Sequence, residues 1–125
     1  MRTSELTGHA LNWAVAMCEG YEIVRMRGDE ITFLDRTEDG ALSEKHINYS
    51  TDWSQGGPII EREVITLIHP RWDGWTAHKY DDRVEDESYT LDGPTPLIAA
   101  MRCYVASKLG DEVEIPTELT QGEKK

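Results

Sequence analysis

A chain of 125 residues suits one domain built on one core. Its 24 acidic against 13 basic residues leave a net charge of −11, which argues against direct nucleic-acid binding, because neutralising phosphates needs a basic face. The same field disfavours an anionic membrane surface, and no stretch approaches the roughly 18 consecutive apolar residues of a membrane span.

The N-terminus, "MRTSELTGHALNW", lacks the apolar run of an export signal. A cytoplasmic protein is expected, with Cys18 and Cys103 as reduced, buried thiols rather than a disulfide. "TGHALNWAVAMCEG" reads as a helix: Thr7 or Ser4 caps it, Gly20 stops it, and Ala10, Trp13, Ala14, Met17 and Cys18 fall on one face. "YEIVRMRGDEITFL" alternates at a period of two, with Gly28-Asp29 as the turn of a hairpin, and a polar loop is expected from Asp35 to Tyr49. "STDWSQGGPIIERE" then places a tryptophan, a Gly-Gly-Pro break and an Ile-Ile pair together, with Pro58 as the first residue of a short helix.

"EVITLIHP" is rich in β-branched residues and reads as a strand. In "RWDGWTAHKY", Asp73-Gly74 suits a two-residue hairpin turn, which would set Trp72 across from Trp75 and His69 across from His78. Asp81 to Glu87 is an acidic connector with five carboxylates and one arginine. "GPTPLIAAMRCYVASKLG" opens a second long helix with Thr95 as N-cap and Pro96 at the first helical position, and Gly110 ends it. Leu97, Met101, Tyr104 and Val105 form its core stripe, beside a small-residue face of Ala99, Cys103 and Ala106. "VEIP" suggests a short edge strand. The expected fold is α+β: an antiparallel sheet of about four strands, with the N-terminal and C-terminal helices packed on one face. One domain spans 1–116, with a flexible tail over 117–125.

"STDWSQGGPIIERE", then "GWTA", then "GPTPLIAAMRCYVASKLGDEV" resembles the NinX family of small proteins encoded by lambdoid phages. More distantly, the chain is similar to phage proteins carrying a W-P-I-I turn and an N-P-L-R-A-A-M helix. The resemblance runs from the first helix to about Pro116, leaving Arg36 to Asn48 unmatched. It implies an accessory phage protein, encoded beside recombination and other dispensable functions, and it carries no catalytic residues over. A protein of that kind is expected to act by binding something in the host cytoplasm.

The residues themselves offer one candidate site. Trp53 supplies a stacking face, Asp52 and Gln55 supply hydrogen-bonding edges, and Gly56 and Gly57 allow close backbone approach. Amides following Pro58 would be free to meet an anion. A nucleotide-like small molecule fits such a set, although no phosphate-loop pattern is present. The competing reading has Trp53 and Ile59-Ile60 anchoring a long loop to the core. Arg102 could reach an acidic ligand, or pair with the surplus carboxylates. Trp72 and Trp75 could face a host protein partner, or brace their own hairpin. His69 and His78 fall short of the roughly three or four ligands zinc requires, so no metal and no cofactor is expected. No hydrolase or metalloprotease motif occurs, and binding without turnover is expected. An acidic decoy of a host nucleic-acid-binding protein and a nucleotide-processing enzyme are the alternatives, and homo-oligomerisation is left open.

Overall fold

The computed structural model describes residues 1–20, 22–27, 30–36, 42–69, 73–80 and 87–115. A short 3-10 turn, Thr3–Glu5, leads into α1 (Gly8–Glu19). Gly20 ends α1 in the left-handed region at φ 87°, a conformation that a side chain would strain, and its N–H reaches back to the carbonyls of Ala16 and Met17. Ala10 and Ala14 are buried as the helical spacing predicts. Leu11 and Val15 are fully buried too, while Trp13, Met17 and Cys18 are only half-buried against the core. The inward face is therefore turned toward Leu11 and Val15, beside the small buried residues Ala10, Ala14 and Ala16.

Next come β1 (Glu22–Arg27), β2 (Glu30–Arg36) and β3 (Leu42–His46), an antiparallel sheet in that order, with the expected β1–β2 hairpin and an irregularity between Ile23 and Arg25. The Gly28-Asp29 turn lies outside the described residues. The loop expected from Asp35 to Tyr49 is a correction: its middle is strand β3, paired from Thr32↔His46 to Arg36↔Leu42. "LSEKH" carries no alternating apolar pattern, and β3 is an edge strand that, among the described residues, is paired through its main chain to β2.

A second helix, α2 (Trp53–Arg62), precedes β4 (Thr66–Ile68), β5 (Trp75–Tyr80) and β6 (Ser88–Gly93), which form a second antiparallel sheet in the order β4–β5–β6. The fold is α+β, and where a single sheet of about four strands was expected, the described strands form two sheets of three. β6 adjoins the acidic connector and was not expected. Its alternation is short but real, with Tyr89 and Leu91 turned inward between exposed Ser88, Thr90 and Asp92.

The register of the second sheet corrects the hairpin. Thr66 pairs with His78 and Ile68 with Thr76, so a longer connection replaces the two-residue turn at Asp73-Gly74. His69 accordingly meets Trp75, with ring centroids 4.7 Å apart, while His78 pairs with Thr66. Trp72 itself, residues 81–86 of the acidic connector and the tail over 117–125 lie outside the described residues.

The last helix, α3 (Pro96–Leu109), begins as its sequence predicts, with Thr95 Oγ1 accepting from the Ile98 N–H at 3.1 Å and Pro96 in the first turn. Every residue from Ala99 to Ser107 is buried. An all-round buried helix is a central one: α3 lies across β5 and β6 on one side and meets α1 and α2 on the other. The core stripe and the small-residue face are thus both inside. After Gly110 the expected "VEIP" strand joins neither sheet. Glu112 bridges to Arg2, and Val113 exchanges backbone bonds with Met1 at 2.9 and 3.0 Å, tying the two ends of the fold together.

Candidate functional site

Helices α2 and α3 begin beside one another, and the space between their first turns is a cleft of about 230 Å³. Ser50, Thr51, Thr95, Trp53, Pro96, Leu97 and Ile98 line it. The two helices meet this closely because Gly56 has no side chain. A Cβ there would lie 2.6 Å from Leu97 Cδ2 and 2.7 Å from the Tyr49 carbonyl oxygen, so only glycine lets α2 press this close to the start of α3. Ile59, one turn on, is buried and fastens α2 to the core.

Trp53 is not part of that fastening. It occupies the first helical position and stays 53% exposed at the mouth of the cleft. Asp52 is the N-cap: its Oδ1 accepts from the Ser54 N–H at 2.9 Å and from Ser54 Oγ at 2.7 Å. Those hydrogen bonds, the hydroxyl's first, hold the carboxyl below its ordinary range and keep it ionised. Gln55 turns back to accept from the Asn48 N–H at 2.6 Å, bracing the segment that enters the helix. Gly57 is half-buried with room around it, its nearest neighbour being Trp53 Cε3 at 3.9 Å from a Cβ placed there.

Pro58 is a correction. It is inside α2 rather than at its start, so the amides that follow it are committed to helical bonds and offer no anion site. Arg102 is held inside the fold, with the carboxylates of Asp92 and Glu5 acting on it. It donates to the carbonyl oxygens of Leu6 and Asp92, both at 2.8 Å, and burial pushes the group's pKa down. Trp75 packs partly against the core and stacks on His69. The fold thus sets Trp53 on the cleft, with Asp52, Gln55, Gly56 and Gly57 as its neighbours along the chain, and places Arg102 and Trp75 among other partners.

Ser50 carries the least local signal of the lining residues. Its N–H is held by Asn12 Oδ1 at 2.9 Å and it is 2% exposed, yet its Oγ has no hydrogen-bond partner among the described residues. No spacing rule singles it out, since Asn12 is 38 positions away.

A second polar cluster sits where α1 and α2 end. Arg62 grips Glu19 at 2.6 and 3.1 Å and donates to Glu63 at 2.8 Å, while Tyr104 Oη donates to Glu19 at 2.5 Å. Buried Lys79 and half-exposed Lys108 each stand 3.8 Å from Glu63. Burial, and then the bond to Glu19, push the Tyr104 hydroxyl well above its ordinary range, so it is a fixed donor rather than a base. Each carboxylate here has cationic partners, and the cations near the helix ends complement the helix dipoles. Chemically this is a clamp. Nothing local marks it, because Glu19 and Tyr104 are 85 positions apart.

Among the described residues no three or more His, Cys, Asp or Glu side chains are grouped to hold a metal ion. No helix among them is long and apolar enough to cross a membrane. Comparison with curated proteins yields no match. The family model described as Bacteriophage P22, NinX matches residues 2–108, and the chain belongs to that family of phage proteins.

Proposed function

We propose that this NinX-family phage protein acts by binding a small planar molecule at the Trp53 cleft, in the host cytoplasm, without turning it over. One observation carries the reading: Trp53 is half-exposed over a concave surface, while Gly56 and Ile59 do the work of anchoring its helix. A large aromatic left in water beside a cleft is the usual form of a ligand contact. The cleft walls are hydroxyl and apolar groups, with no histidine, cysteine or carboxylate among them to act as base or nucleophile. Sequestration of a host or defence-related metabolite is the role such a surface fits.

The test is mass spectrometry of small molecules that co-purify from phage-infected cells with the wild-type protein and with Trp53→Ala. A species enriched on the wild type, absent from the variant and recovered chemically intact supports the proposal. Identical profiles from the two proteins overturn it. A host protein lost with Trp53→Ala, in place of a small molecule, redirects it.

A further inference from the structure

The Trp53 cleft lacks what an anion needs. No lysine, arginine or histidine is among its lining residues. At the helix N-termini beside it, Asp52 takes the Ser54 amide, Thr95 takes the Ile98 amide, and Pro96 has no N–H to give. An ionised carboxylate, Asp52, stands immediately before Trp53, in a chain whose net charge is −11. A phosphate entering here would exchange hydration for repulsion.

What the cleft does offer is an aromatic face, with one buried, unmet hydroxyl belonging to a residue of its wall. Of the buried side-chain polar atoms among the described residues, Ser50 Oγ and Trp13 Nε1 have no partner, and Ser50 is on the cleft wall. A shielded hydroxyl without a partner is costly to the free protein and is relieved when a ligand supplies a donor or acceptor. At about 230 Å³ the space is smaller than the roughly 300–1,000 Å³ of pockets for drug-sized ligands, and suits a single ring system.

Resting on the reading of this cleft as a ligand site, we infer that it takes an uncharged planar heterocycle of the nucleobase or nucleoside class. The ring face lies on Trp53, the polar edge bonds Ser50 Oγ, and the phosphorylated forms are rejected. Ser50 is then a direct binding residue, and Asp52 sets the selectivity against anions.

Calorimetric titration of the full chain with adenosine, guanosine, cytidine, uridine and their monophosphates tests this. At least one nucleoside is expected to bind, with its monophosphate roughly tenfold weaker or worse. Ser50→Ala should weaken that nucleoside roughly three- to tenfold while leaving the melting temperature unchanged or raised. Asp52→Asn, which keeps a capping side chain, should narrow the gap between nucleoside and monophosphate. A monophosphate that binds as tightly as its nucleoside, or an indifferent Ser50→Ala, overturns the ligand assignment while the cleft stands. Nucleoside binding that survives Trp53→Ala overturns the cleft itself. Failure of every nucleoside to bind overturns the inference, and the co-purification result then decides separately whether the cleft holds another ligand.

Discussion

Gly56 and Leu97 are pressed together so tightly that a methyl group at position 56 would sit 2.6 Å from Leu97 Cδ2. Leucine could rotate away, but the Tyr49 carbonyl, 2.7 Å from the same point, is backbone and cannot. Gly56→Ala should therefore destabilise the protein by about 1–3 kcal/mol, although alanine is the better helix former. Gly57→Ala finds open space beyond its chain neighbours, but the Pro58 ring crowds a Cβ before it in a helix and offsets the gain in helix propensity, so a change within about 1 kcal/mol of zero is expected. Urea unfolding of the two variants against the wild type reads the difference.

Trp53→Ala tests the neighbouring position. A fully buried aromatic costs about 3–5 kcal/mol when truncated. Trp53 is 53% exposed, so a cost below about 1.5 kcal/mol is expected. A thermal melt of the ligand-free variant measures it, and a loss above 3 kcal/mol would return this residue to the core.

Val64 is the one non-glycine residue with positive φ among the described residues, at 53°, directly after the residue that caps α2. A β-branched side chain is strained there, and at 78% exposure it gains little from packing. Val64→Gly should raise stability by about 1 kcal/mol, because the Ile65 N–H to Ile60 carbonyl bond that closes the helix needs this left-handed step. Calorimetry should show a melting temperature higher by a few degrees.

Burial pushes both cysteine thiols up to about 12 from an ordinary 9.0, with Glu19 adding to the effect at Cys18. Raised folded-state values mean that the unfolded chain loses these protons first. The thiols' contribution is thus intact below about pH 9 and is lost as pH climbs from 9 toward 12. Unfolding free energies measured across that window should fall less steeply in Cys18→Ala with Cys103→Ala than in the wild type. At neutral pH both thiols should react slowly with a disulfide reagent until denaturant is added.

The two long helices were legible in the sequence because their ends are settled locally. Thr95 and Pro96 start α3, and Gly20 and Gly110 stop α1 and α3, through bonds and dihedrals that span only a few residues. The β1–β2 hairpin was legible for a similar reason, since its alternation is contained in one short stretch. Trp53, Gly56 and Gly57 were visible as unusual, and Asp52 as a hydrogen-bonding neighbour.

Only tertiary structure decided what that stretch is. Gly-Gly-Pro opposes a helix, by about 1 kcal/mol for each glycine and about 3 for an interior proline. Yet α2 runs through it, because Asp52 caps the start, Ile59 is buried and Gly56 lets the helix meet α3. Outer strands β3 and β6 escaped notice because β3 has no apolar alternation and that of β6 is short, so pairing to β2 and β5 is what makes them plain. Ser50 and Thr95 share a cleft, and Glu19 and Tyr104 share a clamp, through contacts that no local pattern encodes. Capping and turn preferences act between near neighbours and can be read along the chain. Burial and close packing act between residues that meet only once the chain has folded.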